Sequence, residues 1–416
     1  MNDPQSVELD LNAPAYGGSI IARHQGRAIF VPYGVPDETV RAHIVSDKGS
    51  YAFADIDAVL VPSPARVVPP CSYFGAGRCG GCHYQHIDYA AQLVYKHQIV
   101  AEQFARVGKL PDAPVLPTLA APAFWNYRAH ATFRVTPTGR LGYVMTDDRT
   151  LLPVESCHLL HPALISLFEG LREHDFSGSE QVRLQVGSDD HELLIAIKPL
   201  PGRRVDLDLP ENASVALLLA NDRVRPIRGS SGVHYRLLGQ SFRVTAGSFF
   251  QVNLAQAERL VTLALDFIQP QPGDRVLDLY SGVGLFTAFL AEHAASVTAV
   301  ESFAPAVKDA RHNLRQLDNV TYVQSSVENG LPGLAGEYDA AVIDPPRSGM
   351  KPAALDALVQ RAPRKIVYVS CDPTTLARDV RQLVAAGYRL LNVQPVDMFP
   401  QTYHIEAVAM LERSGA

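Results

Sequence analysis

The second half of the chain, from about residue 272, alternates short apolar, β-branched runs with longer amphipathic stretches. This rhythm is typical of an open α/β sheet, in which buried parallel strands are covered by helices on both faces. It predicts seven strands, at residues 275–280, 296–301, 320–326, 338–346, 366–371, 390–397 and 404–411. Because such sheets bind ligands outside the carboxyl ends of their strands, the residues that close these runs are the first candidates for a functional site.

The fifth predicted strand leads directly into a cysteine. Residues 366–369 form the apolar run IVYV, and Ser370 and Cys371 follow it. Asp372 and Pro373 then open a helix with a capping residue and a first-turn proline. A thiol is a strong nucleophile near neutral pH, and the neighbouring helix N-terminus is expected to lower its pKa. A lone cysteine is more often a buried apolar residue, but the position at a strand end favours a functional one.

A glycine-containing turn follows the first predicted strand. Gly282 and Gly284 form a G-x-G pair, and Glu301 closes the second strand, where an acidic side chain can accept hydrogen bonds from ribose hydroxyls. The turn lacks the third glycine of a pyrophosphate-binding loop. It therefore favours a nucleoside cofactor without phosphate, such as S-adenosylmethionine, although a short G-x-G pair also serves ordinary tight turns.

Two further strand ends carry carboxylates. Asp344 begins a DPPR motif that ends at Arg347, and its prolines fix a stiff turn against which a planar substrate could lie while the carboxylate accepts a ring N–H. Glu406 lies among apolar residues at the start of the last strand, where burial would raise its proton affinity as a general base requires. Asp344 could instead cap a helix, and Glu406 could be a structural acid in a salt bridge.

A thiol, a buried carboxylate and a methyl-donor site together indicate methylation at C5 of a pyrimidine. That carbon is a poor nucleophile until a thiolate adds to C6 and creates an enolate. We predict that Cys371 makes this attack and that Glu406 removes the C5 proton before the thiol leaves. Asp344 would orient the uracil edge, and Arg347 would assist at a carbonyl. Phe249, in a polar and aromatic loop, would lie against the base.

Three cysteines, Cys71, Cys79 and Cys82, lie within twelve residues at the spacing C-x7-C-x2-C. The glycines between them let the backbone wrap closely around a bound group. Cys157 supplies a fourth thiol much later in the chain. Four thiolates fit either tetrahedral zinc or a 4Fe–4S cluster. The uneven first spacing lacks the paired C-x2-C arms of most zinc ribbons, which favours iron–sulfur.

The N-terminal segment predicts a small β-barrel. Residues 5–65 contain several short alternating runs separated by glycines, the pattern of a five-stranded barrel that binds single-stranded nucleic acid or serves as a packing module. Residues 88–108 predict a helix, and residues 122–247 predict mainly strands with one helix near 162–174. Candidate RNA contacts are basic and ring-bearing side chains in both regions: Arg23, His24, Arg27, Tyr33, Arg128, His130, Phe133 and Arg134.

Composition and charge limit the classes of protein to which the chain can belong. A chain of 416 residues allows two or three domains, and 47% hydrophobic with 19% charged residues is ordinary for a globular protein. The acidic N-terminus resembles neither a signal nor a transit peptide, and no apolar run approaches the length of a membrane span. A net charge of −6 restricts nucleic-acid contact to a local patch. Five cysteines, an odd number, predict a cytoplasmic protein with metal-binding or catalytic thiols.

Four motifs, DLYSGVG, DPPRSG, VSCDPTTLARD and FPQTYHIEAV, resemble those of the RNA (uracil-C5)-methyltransferases and occur in the order expected for that family. The cysteine motif and the leading barrel, which is similar to a TRAM domain, resemble the iron–sulfur branch that acts on 23S ribosomal RNA. The resemblance covers nearly the whole chain. Ser281 departs from the cysteine that many relatives carry in this loop, at a position that is not catalytic.

The resemblance implies a role for each candidate residue. Cys371 is the nucleophile and Glu406 the base. Four residues fall where the family contacts S-adenosylmethionine and, with Gly282 and Gly284, complete the predicted cofactor site: Gln251, Tyr280, Glu301 and Asp344. The 4Fe–4S ligands would be Cys71, Cys79, Cys82 and Cys157.

The predicted fold class is therefore α/β. It comprises a TRAM-like β-barrel (residues 1–66), a central mainly β domain with an iron–sulfur cluster (67–250) and a Rossmann-like class I methyltransferase sheet (251–416). The predicted protein is a monomer without membrane contact that methylates uridine C5 in 23S ribosomal RNA. Uridine methylation in transfer RNA is the alternative, and a non-catalytic iron–sulfur RNA-binding protein is another. A cytosine-C5 methyltransferase usually presents its cysteine in a different context.

Overall fold

The structure is a computed structural model that describes residues 6–205, 208–220 and 222–415. Its strands form a closed barrel, two sheets of seven strands and a two-stranded hairpin. Within these ranges, no helix combines the length and the apolar character needed to cross a membrane.

The predicted five-stranded barrel is confirmed at the N-terminus. Its strands are β1 (Ser6–Pro14), β2 (Ser19–His24), β3 (Arg27–Pro32), β4 (Thr39–Asp47) and β5 (Tyr51–Val61). They close in the order β1-β2-β3-β5-β4, so each has two hydrogen-bonded neighbours. Alternate side chains point inward, and Leu9, Leu11, Ile20 and Val31 are almost completely buried there.

A helix connects the cysteine-containing segment to the C-terminal sheet. Helix α1 (Tyr89–Arg106) confirms the prediction for residues 88–108, and Asp88 caps its first turn. Its apolar face joins the core of the C-terminal sheet. Lys96 of this helix is fully buried and donates a hydrogen bond to Asp397 at 2.6 Å, so the two charges are enclosed together.

The central region is a mixed sheet. Its strands are β6 (His130–Val135), β7 (Leu141–Val144), β8 (Leu151–Pro153), β9 (Ser179–Val186), β10 (Leu193–Pro199), β11 (Ala213–Leu218) and β12 (Val224–Arg228). They lie in the order β12-β11-β10-β9-β6-β7-β8, and helix α2 (Pro162–Gly170) packs on one face. The sequence pattern misses β8, β11 and β12. β8 has three residues, β11 is rich in alanine and leucine, and β12 is a largely exposed edge strand with a proline.

A hairpin and a helix precede the second seven-stranded sheet. Strands β13 (Gly232–Leu237) and β14 (Gln240–Thr245) pair antiparallel, and helix α3 (Leu254–Ile268) follows the loop of residues 246–253.

All seven strands predicted for the C-terminal half are confirmed, with bounds that shift slightly. They are β15 (Arg275–Leu279), β16 (Ser296–Glu301), β17 (Val320–Gln324), β18 (Ala340–Ile343), β19 (Lys365–Ser370), β20 (Tyr388–Val396) and β21 (Glu406–Arg413). The intervening helices are α4 (Leu285–Ala291), α5 (Ala304–Asn313), α6 (Val327–Gly330), α7 (Pro352–Arg361) and α8 (Pro373–Ala385).

The strand order of this sheet is β17-β16-β15-β18-β19-β21-β20. The chain runs outward from β15 to β17 and then returns to the other side of β15, which creates a topological switch point between β15 and β18. The last strand, β21, is inserted antiparallel between β19 and β20. Its amino end therefore lies at the same sheet edge as the carboxyl end of β19.

Candidate active site and cysteine cavity

A cavity of about 720 Å³, here called the large cavity, opens at the carboxyl ends of the parallel strands. It lies at the switch point, where open α/β sheets bind their ligands. With the exception of Gly284, it is lined by all of the predicted catalytic, base-contacting and cofactor-contacting residues: Cys371, Glu406, Asp344, Arg347, Phe249, Gln251, Tyr280, Gly282 and Glu301.

Strand direction brings Cys371 and Glu406 together. β19 ends at Ser370, which pairs with Ala407 of the antiparallel β21. Glu406, one residue before Ala407, therefore lies at the same sheet edge as Cys371, one residue after Ser370. Glu406 is 2% exposed, and burial, helped by the charge of Asp344, raises its pKa well above the usual value. Such a carboxylate binds a proton more tightly than it would in water, which suits a general base.

The environment of Cys371 corrects one expectation from the sequence. Burial is the largest cause of a pKa raised to about 12 for its thiol. The carboxylates of Glu406, Asp344 and Asp372 act in the same direction, and Arg347 acts against them. The expected lowering by the start of α8 is therefore wrong in this structure, because desolvation and three acidic neighbours outweigh the helix dipole. Before the thiol can attack as a thiolate, a further positive charge must lower its pKa or a base must remove its proton.

Asp344 directly follows β18 and lines the large cavity. Burial, followed by the charge of Asp278, raises its pKa to about 7. Asp278 is completely buried, and one of its oxygens accepts a hydrogen bond from Thr287 at 2.5 Å. With a pKa near neutrality, Asp344 can accept a hydrogen bond as the carboxylate or donate one as the acid.

A contact from the N-terminal barrel supports Arg347. Tyr16, in the turn after β1, donates a hydrogen bond to Oδ2 of Asp372 at 3.0 Å and accepts one from Arg347 at 3.4 Å. The other carboxylate oxygen of Asp372 caps α8 by accepting hydrogen bonds from two first-turn N–H groups. The barrel therefore holds the wall of the large cavity beside Cys371. Nothing in the sequence connects Tyr16 with this wall.

Glu301 organises one end of the large cavity. One carboxylate oxygen accepts a hydrogen bond from the Gly282 N–H at 3.0 Å, and the other accepts one from the Phe303 N–H at 2.6 Å. The second oxygen also accepts a hydrogen bond from the Ser302 hydroxyl at 3.4 Å, whereas the oxygen bonded to Gly282 can accept a further one. Gly282 has a φ of 56°, and a Cβ placed there would meet nothing within 4 Å, so the space beside the backbone is open.

The surroundings of Glu301 fit S-adenosylmethionine. Apolar side chains suited to contact with an adenine ring line this end of the cavity: Val283, Leu285, Phe286, Phe303 and Val327. Ser326, which was not among the predicted site residues, also lines it, and its hydroxyl is buried. It closes the predicted third strand, and that position could have identified it as a candidate.

Gly284 has a different position from the other predicted cofactor residues. It begins α4 with a φ of 90°, and a Cβ there would lie 2.8 Å from Leu314 Cδ1. In this structure glycine is needed at this residue for backbone conformation and close packing.

An acidic residue that sequence analysis missed fixes the loop carrying Phe249 and Gln251. Asp309 of α5 is completely buried and accepts hydrogen bonds from Ser248 at 2.7 Å and from the Thr245 hydroxyl at 2.9 Å. Phe249 itself is 67% exposed at the mouth of the large cavity, where an aromatic ring is available for stacking.

The four predicted cluster ligands line a second cavity, here called the thiol cavity, of about 270 Å³: Cys71, Cys79, Cys82 and Cys157. All four are free cysteines. Burial is the main cause that raises the pKa of Cys82 to about 12, and it also raises the pKa values of Cys79 and Cys157.

Two glycines between Cys79 and Cys82 have close neighbours. A Cβ at Gly80 would lie 3.1 Å from the carbonyl oxygens of Val144 and Met145, so a larger residue would be crowded there. The Gly81 N–H donates to the Cys79 sulfur at 3.4 Å.

The thiol cavity does not have the geometry of a single-ion site. Among the described His, Cys, Asp and Glu side chains, no group of three or more could hold one metal ion. Tetrahedral zinc with bonds of about 2.3 Å requires sulfurs within roughly 4 Å of one another.

The predicted RNA contacts of the barrel have mixed environments. Arg23 is exposed, and His24 is half-buried. Arg27 pairs with Asp47 at 2.6 Å. Tyr33 donates a hydrogen bond to the Gly75 carbonyl at 3.2 Å and so connects the barrel to the cysteine-containing loop.

Strand alternation separates the predicted RNA contacts of the central sheet. Phe133 is completely buried and stacks on Phe168 at 4.6 Å, so it belongs to the core. Arg134 lies on the opposite face and pairs with Glu180 at 3.1 Å.

The seven-stranded sheet, its inserted antiparallel strand and the nucleoside-sized cavity at the switch point define a class I methyltransferase. Comparison with known proteins identifies the family. The family model described as tRNA (Uracil-5-)-methyltransferase matches residues 233–337 and 334–414, and the TRAM domain model matches residues 5–56.

Relatives match nearly the full length of the chain. Proteins from Streptomyces avermitilis, Thermosynechococcus vestitus and Aquifex aeolicus, each named as an uncharacterized RNA methyltransferase, are 35%, 33% and 32% identical. Each alignment covers 98% of this chain and 98% of the relative. The chain therefore belongs to the RNA uracil-5-methyltransferase family, and its N-terminal barrel is a TRAM domain.

A solved structure shares the fold. Pyrococcus abyssi tRNA (uracil-54, C5)-methyltransferase in complex with S-adenosyl-L-homocysteine is 24% identical, with a TM-score of 0.75 over 97% of this chain and 99% of that chain. Family and fold together make this protein an S-adenosylmethionine-dependent methyltransferase that acts on RNA.

Replacement of Glu301 tests the cofactor end of the cavity. We expect Glu301→Ala to weaken S-adenosylmethionine binding about tenfold or more, because a hydrogen bond to a charged group contributes roughly 1.5–3 kcal/mol. Isothermal calorimetry measures the dissociation constant, and Glu337→Ala, which removes an exposed acid outside the cavity, is the control. Unchanged affinity in a folded Glu301→Ala protein would mean that this carboxylate does not contact the ribose.

Proposed function

We propose that this protein forms 5-methyluridine in RNA, with Cys371 as the nucleophile and Glu406 as the base. The observation that carries the proposal is the meeting of a thiol and a buried carboxylate in one cavity, which also contains Glu301 beside apolar side chains. Methylation at C5 needs a nucleophile for C6, a base for the C5 proton and a site for the methyl donor.

The reaction needs a temporary bond to the protein. The Cys371 sulfur adds to C6 of uracil, and the electron pair of the C5–C6 double bond moves toward the C4 carbonyl to form an enolate. S-adenosylmethionine supplies a methyl group on a positively charged sulfur, the electrophile that C5 of the enolate requires. Glu406 then takes the C5 proton, the electrons left behind restore the double bond, and the Cys371 thiolate leaves.

Three other residues of the large cavity suit recognition of the base. Asp344, with a pKa of about 7, can hydrogen-bond the uracil edge. Arg347 can stabilise negative charge on the enolate oxygen, and its charge also opposes the raised pKa of Cys371. Phe249 offers an exposed ring on which a base can stack.

The proposed cofactor residues are Gln251, Tyr280, Gly282, Glu301 and Asp344, with Gly284 shaping the turn behind them. Glu301 would bind the ribose hydroxyls, and the apolar side chains beside it would contact the adenine ring.

We further propose that the thiol cavity holds a 4Fe–4S cluster on Cys71, Cys79, Cys82 and Cys157. Support comes from the convergence of four free cysteines on one cavity. Such a cluster would stabilise the loop between the barrel and α1, since metal binding is coupled to folding.

The proposed substrate is 23S ribosomal RNA, supported by the C-x7-C-x2-C motif and its resemblance to the iron–sulfur branch of the family. Transfer RNA is the second candidate, supported by the description of the matching family model.

The deciding experiment supplies tritiated methyl donor and unmodified RNA. We expect the purified protein to label a 23S transcript but not transfer RNA, and nucleoside chromatography should place the label in 5-methyluridine. Cys371→Ala is the negative control. Label in transfer RNA alone would show that transfer RNA, not 23S ribosomal RNA, is the substrate. Label in 5-methylcytidine would overturn the proposed reaction.

A further inference from the structure

A group of polar side chains lies on the face of the central sheet opposite its apolar core. His130 of β6 lies directly across from Gln185 of β9, and Thr132 lies across from Arg183. Opposite residues on neighbouring antiparallel strands share a face, and so do residues two apart on one strand. Tyr235 of β13 lies beside Gln185 and Arg183. We call the site formed by His130, Arg183, Gln185 and Tyr235 the arginine crevice.

The arginine crevice encloses buried polar groups beside Arg183. Gln185 is completely buried, and its side chain lies within hydrogen-bonding reach of the Tyr235 hydroxyl, which is also buried. Nδ1 of His130 is buried and has no hydrogen-bond partner within the described ranges. Folded proteins leave few buried polar groups unpaired, because each costs free energy. These polar groups lie beside a cation, which distinguishes this face of the sheet from its apolar core.

Arg183 adds a charge without a counter-ion. Among the described residues it has no carboxylate partner and no hydrogen bond, and its Nε is sealed from solvent. The whole side chain is only half-buried, so part of it reaches open space. Arg128 lies nearby with its Nε also unpaired. By contrast, Arg134 on the same sheet face is neutralised by Glu180.

The arginine crevice borders the loop that lines the large cavity. Tyr235 stacks on Phe250 at 4.9 Å, and Phe250 is part of the cavity wall. Next to His130, the Ala129 N–H donates to the Val252 carbonyl at 2.9 Å. A ligand that spans both sites therefore needs to cross only this short loop.

We propose that the arginine crevice binds a backbone phosphate of the RNA strand whose base enters the large cavity. A guanidinium matches two phosphate oxygens, and Arg183 is the half-buried member of the crevice that an RNA strand can reach, whereas Gln185 and Tyr235 are sealed behind it. Contacts of this kind position RNA without reading its sequence. The inference rests on the proposed function only in taking RNA as the ligand; it does not depend on methyl transfer.

The test measures RNA binding as a function of salt. The protein carries Cys371→Ala throughout, so that no covalent adduct contributes, and the probe is an unmodified 23S transcript. We expect the further change Arg183→Met to weaken binding about tenfold and to make the slope of log K against log salt concentration shallower by about 0.7, the effect of losing one phosphate contact on a single strand. Arg134→Met, which removes an already neutralised charge, should leave the slope unchanged.

A second measurement separates a binding role from a structural one. Without RNA, Arg183→Met should keep or raise the unfolding temperature, because an unpaired, desolvated charge is replaced by an apolar side chain of similar length. A residue that merely supported the fold would give a lower unfolding temperature. Arg183→Lys, which keeps the charge, should retain the steep salt slope.

The outcomes are distinct. An unchanged salt slope in Arg183→Met, or a lower unfolding temperature for that variant, would overturn the phosphate site. If no RNA were methylated by the unsubstituted protein but the slope still changed, the proposed reaction would fail and the phosphate site would stand.

Discussion

With alanine in place of Cys371, the protein should make neither 5-methyluridine nor a covalent complex with RNA. Without the thiol nothing adds to C6, and C5 remains too weak a nucleophile to accept a methyl group. The loss is therefore expected to be complete within detection. The side chain lies at the end of β19 in a wall supported by Asp372, so its removal should leave the sheet intact.

Glu406→Gln should fail at a later step. Attack and methyl transfer remain possible, but an amide cannot take the C5 proton, so elimination stalls and a methylated protein–RNA adduct accumulates. General bases typically contribute about 10²–10⁴-fold to a rate, and turnover should fall by that factor. Gel electrophoresis under denaturing conditions with labelled RNA resolves the adduct from free RNA.

The two variants are informative as a pair. Glu337→Gln, which changes an exposed acid of the same domain, controls for loss of charge. Free methylated RNA produced by Glu406→Gln at the normal rate would show that another group is the base. An adduct that survived in Cys371→Ala would remove the central claim of the mechanism.

Among the substitutions considered, replacement of one cysteine of the thiol cavity should lower the stability of the protein most. We expect Cys82→Ser to lose its iron and visible absorbance and to unfold at a much lower temperature, because binding of a structural metal group is coupled to folding. The loop it belongs to is attached to the active-site region: the N–H groups of His83 and Tyr84 both donate to the Gln401 carbonyl at 3.0 Å, five residues before Glu406. Methyl transfer should fall with stability.

Iron and sulfide analysis of anaerobically purified protein measures this directly. Cys371→Ala is the matched control, because it removes the fifth cysteine, outside the thiol cavity, and should retain the cluster. Stoichiometric zinc with no iron in the unsubstituted protein would contradict the assignment.

Local pattern was sufficient for much of the fold. Strand and helix periods are properties of neighbouring residues, so the seven C-terminal strands, the barrel and α1 could all be predicted from the sequence. Asp344, Cys371 and Glu301 could be predicted as well, because a residue that closes a parallel strand lies at the ligand-binding edge whatever the strand order. Alternation already implied that Phe133 and Arg134 point to opposite faces, although the RNA-contact prediction did not use it.

The tertiary structure decided which residues from distant parts of the chain meet. Glu406 reaches Cys371 because β21 runs antiparallel between β19 and β20, and strand order is set by packing of the whole sheet. The raised pKa of Cys371 follows from burial among acids contributed by three strand ends, which outweighs the local helix dipole visible in the sequence. Tyr16 and Asp309 carry no motif. Their roles depend on contacts with residues far away in the chain, and local sequence patterns contain no record of such contacts.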